Sequence, residues 1–283
     1  MITSNGYVLD ESVHRLGELE PVPLHERDDR QALWDRLRRD GYLFLKGHLK
    51  PETVNEFRGY YFGQLVGANV TAPGSDPQEG LSSPEPVDRT AMREALFTTI
   101  VPGEQYQSLC TDPRIADWFA WFLEDEVHLH RRKIIRHTKP GEAGIGTATQ
   151  AHYDLVYLRG GSDRVLSMWI PLGDCPVERG GLAYLENSHH WVLAQEREGT
   201  LAQPAASITA DLPGLAETHD SRWLITNYEA GDVMVHSAHI VHASTDNVDP
   251  ANKLRLSTDI RYQRKGEPID WRWQEHWNLD DGL

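Results

Sequence analysis

The tripeptide His152-Tyr153-Asp154 places one imidazole and one carboxylate two residues apart. On a strand, side chains at i and i+2 leave the same face, roughly 6.5–7 Å apart along the chain, so both can bend toward one ion. Further along, three more histidines crowd one segment: His236, His239 and His242. Two histidines and one carboxylate make up the ligand set of a facial non-haem Fe(II) site, which leaves positions open for oxygen and an organic cosubstrate. The tripeptide by itself is a common chance pattern and suits a water-facing strand equally well. Its neighbours tip the reading toward a metal.

The first neighbour is Leu254-Arg255-Leu256-Ser257. On a strand Arg255 and Ser257 share a face. A guanidinium grips a carboxylate through two parallel hydrogen bonds, and a hydroxyl can add a third. That suits the distal carboxylate of 2-oxoglutarate, whose other end chelates iron. An ordinary salt bridge is the plainer account, but Lys253 would serve for that, and a charge flanked by two leucines requires a partner if it is buried. Trp169, in Ser167-Met168-Trp169-Ile170-Pro171-Leu172, is expected in the core and as a wall of the cosubstrate pocket. The remaining histidine patterns carry less. Ser188-His189-His190 reads as a turn or helix start. His128 and His130 have no carboxylate at ligand spacing and stand beside Arg131-Arg132-Lys133, which repel a cation. Gly160-Gly161 and Gly180-Gly181 lack the following helix and lysine of a phosphate loop.

The whole chain of 283 residues is long enough for a substantial core. With 28 Lys+Arg against 43 Asp+Glu, the formal charge is −15. Such a balance argues against nucleic acid and anionic membrane surfaces as partners. No apolar run approaches the ~18 residues of a membrane span, and the first residues have neither the basic nor the apolar region of a secretion signal. Two cysteines, Cys110 and Cys175, make no disulfide framework. A cytoplasmic protein with a small-molecule substrate is expected, with homo-oligomerisation left open.

Local signals organise the chain into a helix over 28–40 ended by Gly41, a strand Tyr42–Leu45, and a helix opened by Pro51. Residues 72–88, rich in Pro, Gly and Ser, predict a mobile loop that could act as a lid. A helix is expected over 113–126. Beyond residue 127, eight strand-like runs alternate with turns: Lys133–His137, Ala151–Leu158, Val165–Leu172, Gly181–Leu185, Trp223–Tyr228, Val233–His236, Ile240–Ala243 and Leu254–Tyr262. This predicts one mainly β domain over 1–283: a jelly-roll core at 127–283 with helical support at 1–126.

With these blocks in place, the chain resembles the phytanoyl-CoA dioxygenase-like family of Fe(II)/2-oxoglutarate oxygenases from about residue 30 onward. Four stretches carry the resemblance: Gly41–Gly47 followed by Leu49-Lys50-Pro51-Glu52; His152-x-Asp154; Trp169–Leu172 with Gly180-Gly181-Leu182; and Gly231-Asp232-Val233-Met234-Val235 with His242, Asn247 and Arg255. The resemblance singles out His242 among the three histidines. It implies a double-stranded β-helix (jelly-roll or cupin-like) with flanking N-terminal helices. It further implies Fe(II) held by His152, Asp154 and His242, 2-oxoglutarate held by Arg255 with Ser257, and O2 as second cosubstrate. Glu186-Asn187-Ser188-His189 stands where family members often carry Pro-Gly-Ser-His, so the shape of that turn is an open point. Family halogenases replace the carboxylate ligand by a small residue. Asp154 is present, so hydroxylation or a related C–H oxidation is implied.

The leading expectation is therefore a dioxygenase acting on a small organic molecule of specialised metabolism. An acyl-CoA hydroxylase is an alternative within that class, and a non-enzymatic cupin-like binding protein is one outside it. A binding protein has no need of three ligands and an arginine together.

Overall fold

The computed structural model describes residues 1–142, 144–158, 160–202, 204 and 206–278; positions 279–283 of the expected domain lie outside them. The chain opens with a small hairpin, β1 (Thr3–Ser4) and β2 (Tyr7–Val8), and a strand β3 (Leu16–Glu18). Helix α1 (Arg30–Asp40) begins where the Asp29 carboxylate accepts the Ala32 amide and stops at Gly41. Gly41 takes φ +80° there, and a Cβ on it would lie 2.7 Å from the His189 ring, so both backbone and packing demand glycine. The turn feeds β4 (Tyr42–Leu45), then α2 (Pro51–Gln64). Next come α3 (Arg89–Ala95), which widens into a π turn over Leu96–Ile100, then α4 (Glu104–Cys110) and α5 (Pro113–Leu123). The rest comprises β5 (Val127–Leu129), β6 (Ile134–Thr138), β7 (Leu166–Pro171), β8 (Leu182–Leu185), α6 (Ser188–Glu198), α7 (Leu212–Thr218), β9 (Trp223–Ile225), β10 (Val233–Ser237), β11 (His242–Ser244) and β12 (Arg255–Arg264).

Two sheets face each other, as a double-stranded β-helix requires. The larger runs β4-β10-β7-β12-β5, with β6 also on β12; the smaller runs β11-β8-β9-β3. Alternation along the strands sorts three apolar layers. Phe44, Trp169, Met234, Tyr184 and Leu224 meet between the sheets. Leu43, Met168, Val235 and Ile260 point outward from the larger sheet against Leu33, Phe57 and Phe119 of α1, α2 and α5. Ala183, Leu185, Trp223 and Ala243 point outward from the smaller sheet against Val192 of α6 and Leu215 of α7. Each Val, Leu, Ile, Phe or Met side chain among these contributes roughly 1.5–3 kcal/mol on burial.

The expected "mainly β" class is corrected: 33% of the described residues are helical and 22% lie in strands. The excess comes from α3, α4, α6 and α7, short helices whose patterns are weak in sequence; α4, α6 and α7 bury apolar residues in the layers outside the sheets. The two expected halves also interleave, since β3 and β4 from the first half pair with β9 and β10 of the second. The expected strand Ala151–Leu158 breaks after its first two residues: Ala151 and His152 each form a single bridge, and Asp154–Val156 is a 3-10 turn. The turn sends Leu155 and Val156 into the layer beneath the smaller sheet.

Residues 72–88 differ from the expectation of a loose flap. Arg58, 5% exposed, donates from its guanidinium to the carbonyls of Gln78, Glu79, Leu172 and Leu254. Backbone bonds from Ser82 to Asn252 and from Leu254 to Gly80 stitch the segment to the chain leading into β12. Burial without a carboxylate partner pushes the Arg58 pKa down to about 10. Arg58→Ala is expected to destabilise the fold by about 3 kcal/mol or more, because buried carbonyls lose their donor. It should also open 72–88 to limited proteolysis. Ready cleavage of that segment in the unaltered protein would contradict the pinned arrangement.

Of three histidines outside the cavity described below, His130 and His189 are buried and His137 is half-buried. Burial pushes His130, His137 and His189 each down to about 4. The unfolded chain takes up their protons near pH 6.5 while the folded chain resists until about 4, so their contribution is complete above 6.5 and is lost as pH falls toward 4. Stability measured by denaturant titration should decline through that window, with uptake of up to about three protons on unfolding. A flat profile from pH 7 to 5 would rule this out.

Candidate metal centre and active-site cavity

His152 and His242 face each other across one β-bridge, with reciprocal N–H to carbonyl bonds of 3.0 and 2.8 Å. Each ring turns its Nδ1 to the carbonyl two residues before it: Gln150 at 2.9 Å for His152 and Ile240 at 3.1 Å for His242. An Nδ1–H donating to a carbonyl fixes the tautomer and leaves the Nε2 lone pair free, as a metal requires. Burial holds both rings below the ordinary histidine pKa, hence neutral; for His242 the neighbouring rings of His152 and His236 add to this.

Asp154 lies fully buried beside them. Its Oδ1 is 3.8 Å from His152 Nε2 and 3.8 Å from His242 Nε2, and the three ligand atoms all lie within 4.8 Å of one another. Ligands at about 2.0–2.2 Å from one ion stand roughly 3–4 Å apart, so small side-chain adjustments close the set around a single ion. Three groups hold the carboxylate. Arg261 Nη2 donates to Oδ1 at 2.8 Å, Ser167 Oγ donates to Oδ2, and His236 Nε2 stands 3.6 Å from Oδ2. Burial alone would raise the Asp154 pKa, but Arg261 and the two histidines His236 and His242 outweigh it and hold the carboxyl well below its usual range.

Geometry separates the three clustered histidines. His242 points its free nitrogen into the set. His236 accepts at Nδ1 from the Tyr184 hydroxyl at 2.8 Å and faces the rear oxygen of Asp154. His239 is committed to Glu196 at 2.6 Å. Of the other histidines, His189 and His190 do start a helix, after Asn187 takes φ +59°. Asparagine tolerates that left-handed conformation, so the turn forms without Pro-Gly.

Beside the set opens a cavity lined by His152, His242, Trp169, Arg255 and Ser257 together. None of its lining residues comes from 72–88. Arg255 is 4% exposed. Its Nη1 donates to Ser257 Oγ at 2.8 Å, its Nε reaches Thr138 Oγ1 at 3.4 Å, and no carboxylate among the described residues pairs with it. Burial accordingly lowers its pKa. The Trp169 ring packs at 4.9 Å from Tyr228 and also lines the cavity. Lys253 instead pairs with Glu79 at 2.5 Å on the surface.

Sequence reasoning missed Ser167 and Arg261, which grip Asp154. They are paired partners across β7 and β12. The available signal was the continuation of the alternation from Arg255 and Ser257 through Asp259 to Arg261 on one face of β12.

The sequence profile of the phytanoyl-CoA dioxygenase (PhyH) family matches residues 37–253. The 1-deoxypentalenic acid 11-beta-hydroxylase of Streptomyces arenae is 28% identical over 244 residues, covering 83% of this chain and 82% of that protein. The ectoine dioxygenase of Sphingopyxis alaskensis is 23% identical over 221 residues, covering 75% and 69%. Among solved structures, the epimerase SnoN in complex with Fe3+, alpha ketoglutarate and nogalamycin RO superposes with a TM-score of 0.58 at 22% identity, covering 85% of each chain.

Asp154→Ala or His242→Ala should abolish stoichiometric uptake of Fe(II) or Co(II), whereas His239→Ala should keep it. His236→Ala should bind the metal about 10- to 100-fold more weakly, as expected when a group behind a ligand is removed. Metal uptake by the His242 variant at wild-type affinity would displace the set.

Proposed function

The chain belongs to the phytanoyl-CoA dioxygenase (PhyH) family, and on that premise we propose that this Fe(II)/2-oxoglutarate-dependent oxygenase hydroxylates a C–H bond of a small organic molecule in specialised metabolism. The observation that carries the reading is one cavity lined by the two histidines of a buried two-histidine, one-carboxylate donor set and by a buried guanidinium with which no carboxylate among the described residues pairs. The first needs a cation and the second an anion. Fe(II) and 2-oxoglutarate supply both, and with dioxygen they supply the oxidising power for C–H cleavage.

The chain's residues divide the remaining work. His152 and His242 present Nε2 to iron and Asp154 presents Oδ1, while Arg261, Ser167 and His236 keep that carboxylate charged and in place. Arg255 and Ser257 receive the distal carboxylate of 2-oxoglutarate, and Trp169 flanks it. Asp154 fills the position that a halide would need, which supports hydroxylation. The named activity of the Streptomyces arenae relative, hydroxylation of 1-deoxypentalenic acid, supports a natural-product substrate. We place the protein in the cytoplasm, in keeping with its unpaired Cys110 and Cys175. Among the described residues, no helix is long and apolar enough to cross a membrane.

The test is anaerobic titration of 2-oxoglutarate into the Fe(II) protein and into Arg255→Lys, followed by succinate formation in air. Lysine keeps the charge but loses the two-pronged grip, worth about 2–3 kcal/mol. The dissociation constant should rise roughly 30- to 150-fold, with metal affinity unchanged. An unchanged constant, or no succinate from the unaltered protein, sinks the assignment.

A further inference from the structure

Asp259 stands on β12 and lines the cavity. Directly opposite it are Trp169 on β7 and Ile134 on β6. Residues opposite one another across a ladder share a face, and both of these neighbours line the cavity as well. The carboxylate is therefore framed by an indole and a branched alkyl chain. Among the described residues it accepts no hydrogen bond and forms no ion pair. Arg261, two positions further on, donates to Asp154 instead. Burial pushes the Asp259 carboxyl above its ordinary pKa, and the attraction of Arg261 does not offset this.

A carboxylate taken from water without a donor is costly, so whatever fills the cavity has to bring one. The cosubstrates cannot. The 2-oxoglutarate dianion carries only acceptor oxygens, and neither dioxygen nor a metal ion has a hydrogen to give. Tyr157 lines the same cavity, but its hydroxyl already donates to the Ala206 carbonyl. The primary substrate remains as the source. Arg261 and Arg136 both act on Asp259 as positive charges, a field that opposes a further cation and favours an uncharged O–H. Trp169, Ile134 and Leu182 supply apolar surface around it, which suits a carbon skeleton bearing that hydroxyl.

We propose that Asp259 is a substrate-binding residue that accepts a hydrogen bond from a hydroxyl of the primary substrate, and that this substrate is an uncharged, hydroxyl-bearing alicyclic compound. The inference rests on the oxygenase reading, which makes the cavity a substrate site and names its other occupants. The skeleton lies against Trp169 and Ile134, the hydroxyl is held on β12, and the carbon to be oxidised is turned toward His152 and His242.

The probes are cyclohexanol, its methyl ether and cyclohexylammonium, which place an uncharged donor, no donor and a charged donor on one ring. Each is titrated into the full-length protein carrying Zn(II) and 2-oxoglutarate, and dissociation constants are read by saturation-transfer NMR. Cyclohexanol should bind at least about 10-fold more tightly than the ether, the range expected of a hydrogen bond to a charged group, and more tightly than the ammonium ion. The preference over the ether should fall below about 3-fold in Asp259→Leu and in Asp259→Asn, the second of which keeps the shape of the side chain. Equal binding of alcohol and ether, a preference undiminished in both variants, tighter binding of the ammonium ion, or no binding of the alcohol at about 10 mM would each overturn the inference. No turnover is involved. Such a failure leaves the oxygenase reading standing, whereas failure of that reading shows as absent succinate.

Discussion

A carboxylate in a dry place has to be held by something, and Asp154 is held on every side. A guanidinium and a hydroxyl donate to it, an imidazole stands behind it, and two neutral imidazoles face it from the front. That arrangement constrains elements far apart in sequence. Ser167 and Arg261 must be neighbours across β7 and β12, His236 must face Ser167 from β10, and the bridge between His152 and His242 must close the gap between the sheets. The register of the larger sheet is thus tied to the protonation state of one side chain. A slip of one residue would turn Ser167, Arg261 and His236 outward together.

The same alternation divides the labour of β12. Leu256, Ile260 and Tyr262 pack outward under the helices, while Arg255, Ser257, Asp259 and Arg261 line the cavity. Apolar burial on one face therefore stabilises a concentration of charge on the other. The helices on the outside of the sheet serve the site in this indirect sense. They keep rigid a strand whose inner face is electrostatically unfavourable until ligands arrive.

Much of this was legible in the sequence. His152, Asp154, His242, Arg255, Ser257 and Trp169 belong to residue types whose chemistry is specific, at offsets that a strand or a tight turn both satisfy. That tolerance explains why Asp154 could be found although its backbone was misjudged: an i, i+2 spacing does not distinguish a strand from a bridge followed by a 3-10 turn. Arg261 and Ser167 were less legible because their role exists only through cross-strand pairing. Residues 72–88 misled for a related reason. Proline and glycine report where a chain turns, not whether it is tied down, and what ties it down is one arginine on α2 and the chain before β12.

One strand carries two anchors, Arg255, proposed for the cosubstrate, and Arg261, which holds the carboxylate of Asp154. They are six positions apart on a backbone that advances about 3.3 Å per residue. Neither anchor can move toward the other without unpairing the sheet. The strand then acts as a ruler: the separation between the cosubstrate's far end and the metal ligand is fixed by sheet pairing, so loop changes at the cavity mouth would alter which skeletons enter without altering that distance.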